Sequence, residues 1–133
     1  MSVITVFNGL FCEAGVVVKR VLDATDCRLV TDQEVVADAA RLSGMAEDRI
    51  ARAFQAKASV FNTFSHEKEQ AIAWMRLAVA ERLVKDENLV IPGFASQLPD
   101  PSIGHILKVC LISDRKARVT VAEREEGLPT STP

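Results

Sequence analysis

The residues between positions 4 and 22 are the part of the chain whose types and spacing most resemble a site of known chemistry. They form an apolar strand-like run, a turn of small residues and an amphipathic stretch, which is the layout of a phosphate-binding loop that precedes a helix. The working pattern of such a loop is G-x-x-x-x-G-K-[ST], in which the lysine bridges the β- and γ-phosphates and the hydroxyl group holds Mg²⁺. Gly9 keeps the first glycine of this pattern. Ala14, Gly15 and Val16 stand where the second glycine, the lysine and the hydroxyl residue belong.

The side chains of the loop oppose the chemistry that its layout suggests. Leu10, Phe11, Cys12 and Glu13 complete the loop. Two unit charges about 4 Å apart repel by about 1 kcal/mol in water and by about 4 kcal/mol at an effective dielectric constant of about 20, so the Glu13 carboxylate would oppose a bound polyphosphate. Phosphoryl transfer depends mainly on charge stabilisation, and a loop without the lysine and the hydroxyl loses much of it. Backbone N–H groups bind phosphate without help from side chains, so these residues predict recognition of phosphate rather than its transfer.

Strands and helices alternate along the chain around this loop. Short β-branched or wholly apolar runs predict strands, and apolar residues at helical spacing predict helices. The predicted strands span residues 3–7, 27–30, 88–91 and 106–112. The predicted helices follow the loop, span residues 33–42, 47–55 and 66–85, and run from a cap at Asp114 to about residue 126; Thr31 or Asp32 is the predicted cap of the second helix, and residues 59–63 form a break. This order predicts an α/β fold with a parallel sheet and right-handed crossovers.

Size and composition restrict the possible functions. The chain has 133 residues, 48% of them hydrophobic, and a net charge of −2, so we expect a packed core and neither nucleic acid nor a membrane as the main partner. No signal peptide and no apolar run of about 20 residues is visible, which predicts a cytoplasmic protein. Its three cysteines fit no metal-ligand spacing and predict reduced, buried thiols rather than a metal site.

The composition changes only once along the chain. Residues 1–127 read as one domain, whereas residues 128–133 are mainly Pro, Ser and Thr and read as a tail or the start of a linker.

Five segments, taken in order, resemble the cytidylate kinase-like family of P-loop nucleoside-monophosphate kinases. They are the I-T-V strand with its loop at 4–16, D-Q-E-V-V-A-D-A-A at 32–40, H-E-K-E-Q at 66–70, N-L-V-I-P-G at 88–93 and H-I-L-K-V-C-L-I-S-D-R-K-A-R-V at 105–119. The resemblance implies a three-layer fold with helices on both faces of a parallel sheet in the order 2-3-1-4-5. It also implies that an active member would use ATP and Mg²⁺. The chain supplies four clear strands and stops within what corresponds to the lid helix, so we expect the fold to be C-terminally incomplete, either as a minimal domain or as the N-terminal piece of a longer protein.

The resemblance also assigns candidate residues to the monophosphate and lid sides of the site. Gln33 stands where the family has an arginine, and Gly93 is followed by phenylalanine where the family often has arginine. Asp32 could contact a nucleoside or cap the following helix. Arg118 aligns with the arginine of the lid, and Arg115 is its neighbour on the same predicted helix. The alternative for both arginines, and for Arg124, is a solvated helix face.

Three functions remain open at this point. The first is a pseudokinase or nucleotide-sensing module, which keeps the fold and lacks the cations of the phosphate loop. The second is an active kinase that phosphorylates CMP or dCMP with ATP and relies on backbone amides, Arg115 and Arg118. The third is a protein-interaction or homodimerisation domain, formed by the incomplete sheet edge and by a group of aromatic residues, which are Phe54, Phe61, Phe64 and Trp74. We favour the first, because the lysine, the hydroxyl and two arginines are all absent together.

Overall fold

Four parallel strands form the centre of the fold within the residues that the computed structural model describes, which are 2–9, 11–55 and 66–126. The strands are β1 (Ser2–Asn8), β2 (Arg28–Leu29), β3 (Asn88–Pro92) and β4 (Ile106–Leu111), in the order β2-β3-β1-β4. The helices are α1 (Ala14–Ala24), α2 (Asp32–Ser43), α3 (Glu47–Gln55), α4 (His66–Lys85), the 3-10 helix η1 (Phe94–Gln97) and α5 (Arg115–Glu126). The predicted parallel α/β fold is therefore confirmed, whereas the break at 59–63 lies outside the described residues.

Helices cover both faces of the sheet because alternate strand residues point in opposite directions. On one face, Val3, Leu89 and Ile91 pack into a core with buried residues of α2, α3 and α4. On the other face, Val6 and Val90 pack against Val18 of α1. This packing fixes the position of α1 relative to the carboxyl end of β1, and it therefore positions the loop that connects them.

Local caps set the starts of α2 and α5. Thr31 Oγ1 accepts from Glu34 N at 3.2 Å, and Glu34 Oε2 accepts in return from Thr31 N at 3.4 Å, which completes a capping box. Thr31 rather than Asp32 is therefore the cap of α2. Asp114 Oδ1 accepts from Ala117 N at 2.7 Å, as predicted for the start of α5.

The edge strand β4 is more exposed to solvent than the prediction of buried cysteines requires. Among the described residues β4 pairs only with β1, and Leu107 remains 61% exposed. Cys110 is exposed and Cys27 is half-buried, so the prediction of buried cysteines is wrong for Cys110. An apolar run does not show whether its strand lies at the centre or at the edge of a sheet, and this one lies at the edge.

None of the described helices has the length and apolar character that crossing a membrane would require.

Candidate functional site

The described residues 9 and 11–13 lie between β1 and α1 at the carboxyl end of the sheet, and we call them the turn. Gly9 N donates to Leu111 O at 3.1 Å, which ties the start of the turn to the end of β4. Phe11 and Glu13 have φ values of 58° and 53°, a left-handed conformation that residues other than glycine seldom adopt. Leu10 lies outside the described residues. The turn has the place in the fold that the phosphate-loop pattern predicts.

The start of α1 is made by the backbone of Glu13. Its carbonyl oxygen accepts from Val16 N at 3.1 Å and from Val17 N at 3.4 Å, and no side chain caps the helix. A Cβ atom added at Gly15 would meet nothing within 4 Å, so space does not exclude a side chain at the position of the lysine. Backbone N–H groups in the first turn of a helix attract anions, and α1 offers that turn without a side-chain cap.

Glu13 instead forms an ion pair with Arg124 of α5. The two residues are 111 positions apart in sequence, and their side chains are 42% and 62% exposed respectively. An exposed ion pair contributes about 0.2–1 kcal/mol to stability, so this contact is readily opened. A second contact joins the same parts of the molecule, because Ser113 Oγ lies 3.6 Å from Cys12 Sγ. The turn is therefore connected both to the segment that precedes α5 and to the last turn of α5.

A cleft of about 380 Å³ lies between the turn and α5, and we call it the α5 cleft. It is lined by Phe11 from the turn and by Arg115, Arg118, Val119 and Ala122 from α5. The four α5 residues share one helix face, because they follow each other at intervals of three, one and three positions. An aromatic ring beside two guanidinium groups can stack a planar base and bind a phosphate. The cleft brings together Phe11, Arg115 and Arg118, which the sequence analysis assigned to two separate parts of the site, the loop and the lid helix.

A second cavity, of about 400 Å³, lies on the other side of the start of α1, and we call it the α1 cavity. It lies at the carboxyl ends of β2 and β3, where ligands of open α/β sheets bind. Its lining is mainly apolar, with Lys19 and Asp32 as the charged residues; the full lining is Ala14, Gly15, Val18, Lys19, Leu22, Leu29, Thr31, Asp32, Pro92 and Gly93. Lys19 is exposed to solvent and also borders this cavity.

Asp32 fixes the backbone that follows β3. Its Oδ1 accepts from Ala95 N at 2.8 Å and its Oδ2 from Phe94 N at 3.2 Å. Gly93 has a φ of +71°, and a Cβ atom there would lie 2.7 Å from Asp32 Oδ2. Asp32 and Gly93 thus line the same cavity, and their role on the monophosphate side stays a prediction. Gln33 is exposed in the first turn of α2 and does not line it.

Sequence reasoning did not find the ion-pair network of Arg82. Arg82 of α4 is 17% exposed and donates to Asp38 at 2.8 Å and to Glu34 at 3.4 Å, both on α2. The hydrogen bond with Asp38 is the main reason why the pKa of Arg82 lies above its ordinary value, against the opposing effect of burial. The one sequence signal for this network is that Glu34 and Asp38 are four positions apart, so they lie on one helix face and can share a partner.

Among residues 2–9, 11–55 and 66–126 no group of three or more His, Cys, Asp or Glu side chains is placed to hold a metal ion.

Comparisons with known proteins agree with this fold. The sequence pattern of the cytidylate kinase-like family matches residues 3–132. The crystal structure of an uncharacterized protein from Eubacterium ventriosum ATCC 27560 has a TM-score of 0.61 and 12% identity, over 97% of this chain and 67% of that chain. TT1252 from Thermus thermophilus has a TM-score of 0.51 and 15% identity, over 97% of this chain and 75% of that chain. No curated protein matches the sequence significantly.

Proposed function

Since the chain belongs to the cytidylate kinase-like family, we propose that it is a nucleotide-binding regulatory module, a pseudokinase that recognises a nucleotide without transferring phosphate. The observation that carries this proposal is the turn, described at residues 9 and 11–13, together with the first turn of α1. There the only charged side chain among the described residues 9 and 11–16 is Glu13, paired with Arg124.

The loss of phosphoryl transfer follows from the chemistry of the missing groups. Transfer requires that charge on the γ-phosphate and on the leaving group be neutralised, mainly by a lysine and by Mg²⁺ held on a hydroxyl. Gly15 and Val16 supply neither group. Removal of one preorganised donor from an oxyanion hole costs about 10²–10³-fold in rate, which sets the scale for the loss of a group that stabilises charge. With both groups absent, we expect turnover too slow to be a function of this protein.

Recognition is supported by the two cavities that flank the start of α1. Their volumes, about 380 Å³ for the α5 cleft and about 400 Å³ for the α1 cavity, suit small ligands. Arg115 and Arg118 give the α5 cleft positive charge, and Phe11 gives it an aromatic surface. This combination favours a nucleotide over an uncharged apolar ligand.

Calorimetry and a kinase assay together test the proposal. Titration with ATP, ADP and CMP in the presence of Mg²⁺ is expected to show binding of at least one nucleotide, and a coupled assay is expected to show no ADP formation from ATP and CMP above the buffer rate. The Arg118→Ala variant should lose the binding. Arg76→Ala is the matched control, because Arg76 is an exposed arginine of α4 that lines neither cavity. Mg²⁺-dependent phosphorylation of CMP that is lost in Arg118→Ala would instead establish an active kinase.

The edge of the sheet supports a second candidate, self-association. In the described part of the chain β4 has one unpaired edge, and Leu107 and Ile112 are 61% and 82% exposed. Unpaired strand edges with apolar side chains favour pairing with another chain. Light scattering would show a concentration-dependent dimer that Leu107→Lys weakens, and a monomer at high concentration would contradict this candidate.

A further inference from the structure

Glu13 puts a carboxylate at the place where a phosphate loop receives the phosphates of its ligand. It is the N-cap of α1, in a left-handed conformation with φ of 53°, and its side chain does not bond to the N–H groups of the helix. Arg124 holds that carboxylate from the far end of α5. The positive end of α1 is thus accompanied by a carboxylate that is held in an exposed ion pair.

The charges of α5 are divided between its two sides. Arg115 and Arg118 lie on the face that lines the α5 cleft, whereas Arg124 follows Ala122 by two positions, which is about 200° around the helix. In the described part of the chain Arg115 and Arg118 have no ion-pair partner, while Arg124 is paired with Glu13. The cleft therefore offers two guanidinium groups to a phosphate, and the loop beside it offers a carboxylate.

We propose that Glu13 determines how many phosphates the ligand carries, so that the site takes nucleoside monophosphates in preference to triphosphates. This inference rests on the proposed nucleotide binding and adds the class of ligand. A single phosphate is neutralised by Arg115 and Arg118 within the cleft. A triphosphate chain that extends towards α1 meets the carboxylate, and it must also separate Glu13 from Arg124.

The proposal is tested with three ligands that share one base, namely cytidine, CMP and CTP, titrated by calorimetry with Mg²⁺. In the unmodified protein CMP should bind more tightly than CTP. Glu13→Gln should strengthen the binding of CTP about tenfold, a change of about 1.4 kcal/mol, and leave cytidine unchanged. Asp23→Asn is the matched control, because Asp23 is an exposed carboxylate of α1 with no ion-pair partner among the described residues, and it should change none of the three affinities.

A second variant separates the charge of Glu13 from a purely structural role of the ion pair. Arg124→Gln also breaks the pair, but it leaves the carboxylate unneutralised beside the loop. It should therefore weaken CTP binding relative to CMP, opposite to the effect of Glu13→Gln. If the pair only positions α5, both variants will change the ratio of CTP to CMP affinity in the same direction.

The outcomes distinguish this inference from the proposed function. Binding of CTP as tight as or tighter than that of CMP by the unmodified protein, an unchanged ratio in Glu13→Gln, or parallel effects of the two variants would overturn the role of Glu13 and leave nucleotide binding intact. If ATP, ADP, AMP and the three cytosine ligands all fail to bind the unmodified protein and its Glu13→Gln variant, the proposed function fails, and this inference fails with it. Circular dichroism of each variant verifies that it is folded.

Discussion

At the scale of single residues, Gly93 and Asp32 show how one contact shapes the α1 cavity. Gly93 has a φ of +71°, and a Cβ atom would approach Asp32 Oδ2 to 2.7 Å. Both the backbone conformation and the lack of space therefore oppose any side chain. Asp32 cannot simply move aside, because it accepts hydrogen bonds from Phe94 and Ala95.

We predict that Gly93→Ala lowers the free energy of unfolding by about 2 kcal/mol, since strained backbone conformations alone cost about 1–3 kcal/mol. Urea unfolding followed by circular dichroism measures the change. Gly15→Ala is the control, because a Cβ atom at Gly15 meets nothing within 4 Å and alanine is the better helix former. Similar losses of stability in both variants would show that the contact between Gly93 and Asp32 is unimportant.

Sequence alone predicts only the contacts that such residues make with near neighbours. The Thr31–Glu34 box was predictable in part, because the two residues are three positions apart and follow a known capping pattern. The bonds of Asp32 to residues 94 and 95, and that of Glu13 to Arg124, join positions 62 or more apart. No local sequence pattern predicts such contacts. They determine which hydrogen-bond and ion-pair partners the candidate site residues Asp32 and Glu13 have.

At the scale of elements, Arg82 joins α4 to α2 through two carboxylates. Its side chain is 17% exposed and that of Asp38 is 21% exposed, so solvent screens this pair only in part. Hydrogen bonds to charged groups contribute about 1.5–3 kcal/mol. The network holds α2, whose cap Thr31 and first residue Asp32 form one wall of the α1 cavity.

We predict that Arg82→Gln lowers the free energy of unfolding by about 1.5–3 kcal/mol, because it leaves the partly buried Asp38 with only Arg41, an exposed arginine 3.7 Å away, as its cation. A double-mutant cycle with Asp38→Asn should show a coupling energy of about 1 kcal/mol or more. Arg52→Gln serves as the control, since Arg52 is 74% exposed and lies 3.9 Å from Asp48, and it should change stability by less than about 0.5 kcal/mol. A coupling energy near zero would contradict the stabilising role of Arg82.

The elements themselves were largely predictable because their apolar residues recur at regular spacing. The helix at residues 66–85 has the bounds that the pattern predicts, and each predicted strand overlaps an observed one. β2 is shorter than expected, since it comprises only Arg28 and Leu29, although Val30 N still donates to Val90 O of β3 at 2.9 Å. The spacing of apolar residues locates a strand, but it does not show how many of its residues pair with the neighbouring strand.

At the scale of the whole molecule, the order of the strands brings the candidate site together. β1 lies between β3 and β4, so the loop that follows β1 lies beside the ends of both neighbours. The α5 cleft takes residues from the turn and from α5, and the α1 cavity takes them from four parts of the chain. The alternation of elements predicts the fold class, whereas the strand order came from the family resemblance, and neither predicts the cavities.

A ligand that joins the turn to α5 should stabilise the whole domain. At a concentration ten times its dissociation constant, a nucleotide that binds only the folded state contributes about 1.4 kcal/mol, which for a domain of this size raises Tm by about 3–5 °C. We predict that CMP raises Tm in this way, that Arg118→Ala abolishes the shift because it removes a guanidinium group from the α5 cleft, and that Arg76→Ala preserves it. Differential scanning calorimetry over a series of CMP concentrations measures the effect. An equal shift in Arg118→Ala would place the bound phosphate away from α5, since Arg118 lies on the helix face that lines this cleft.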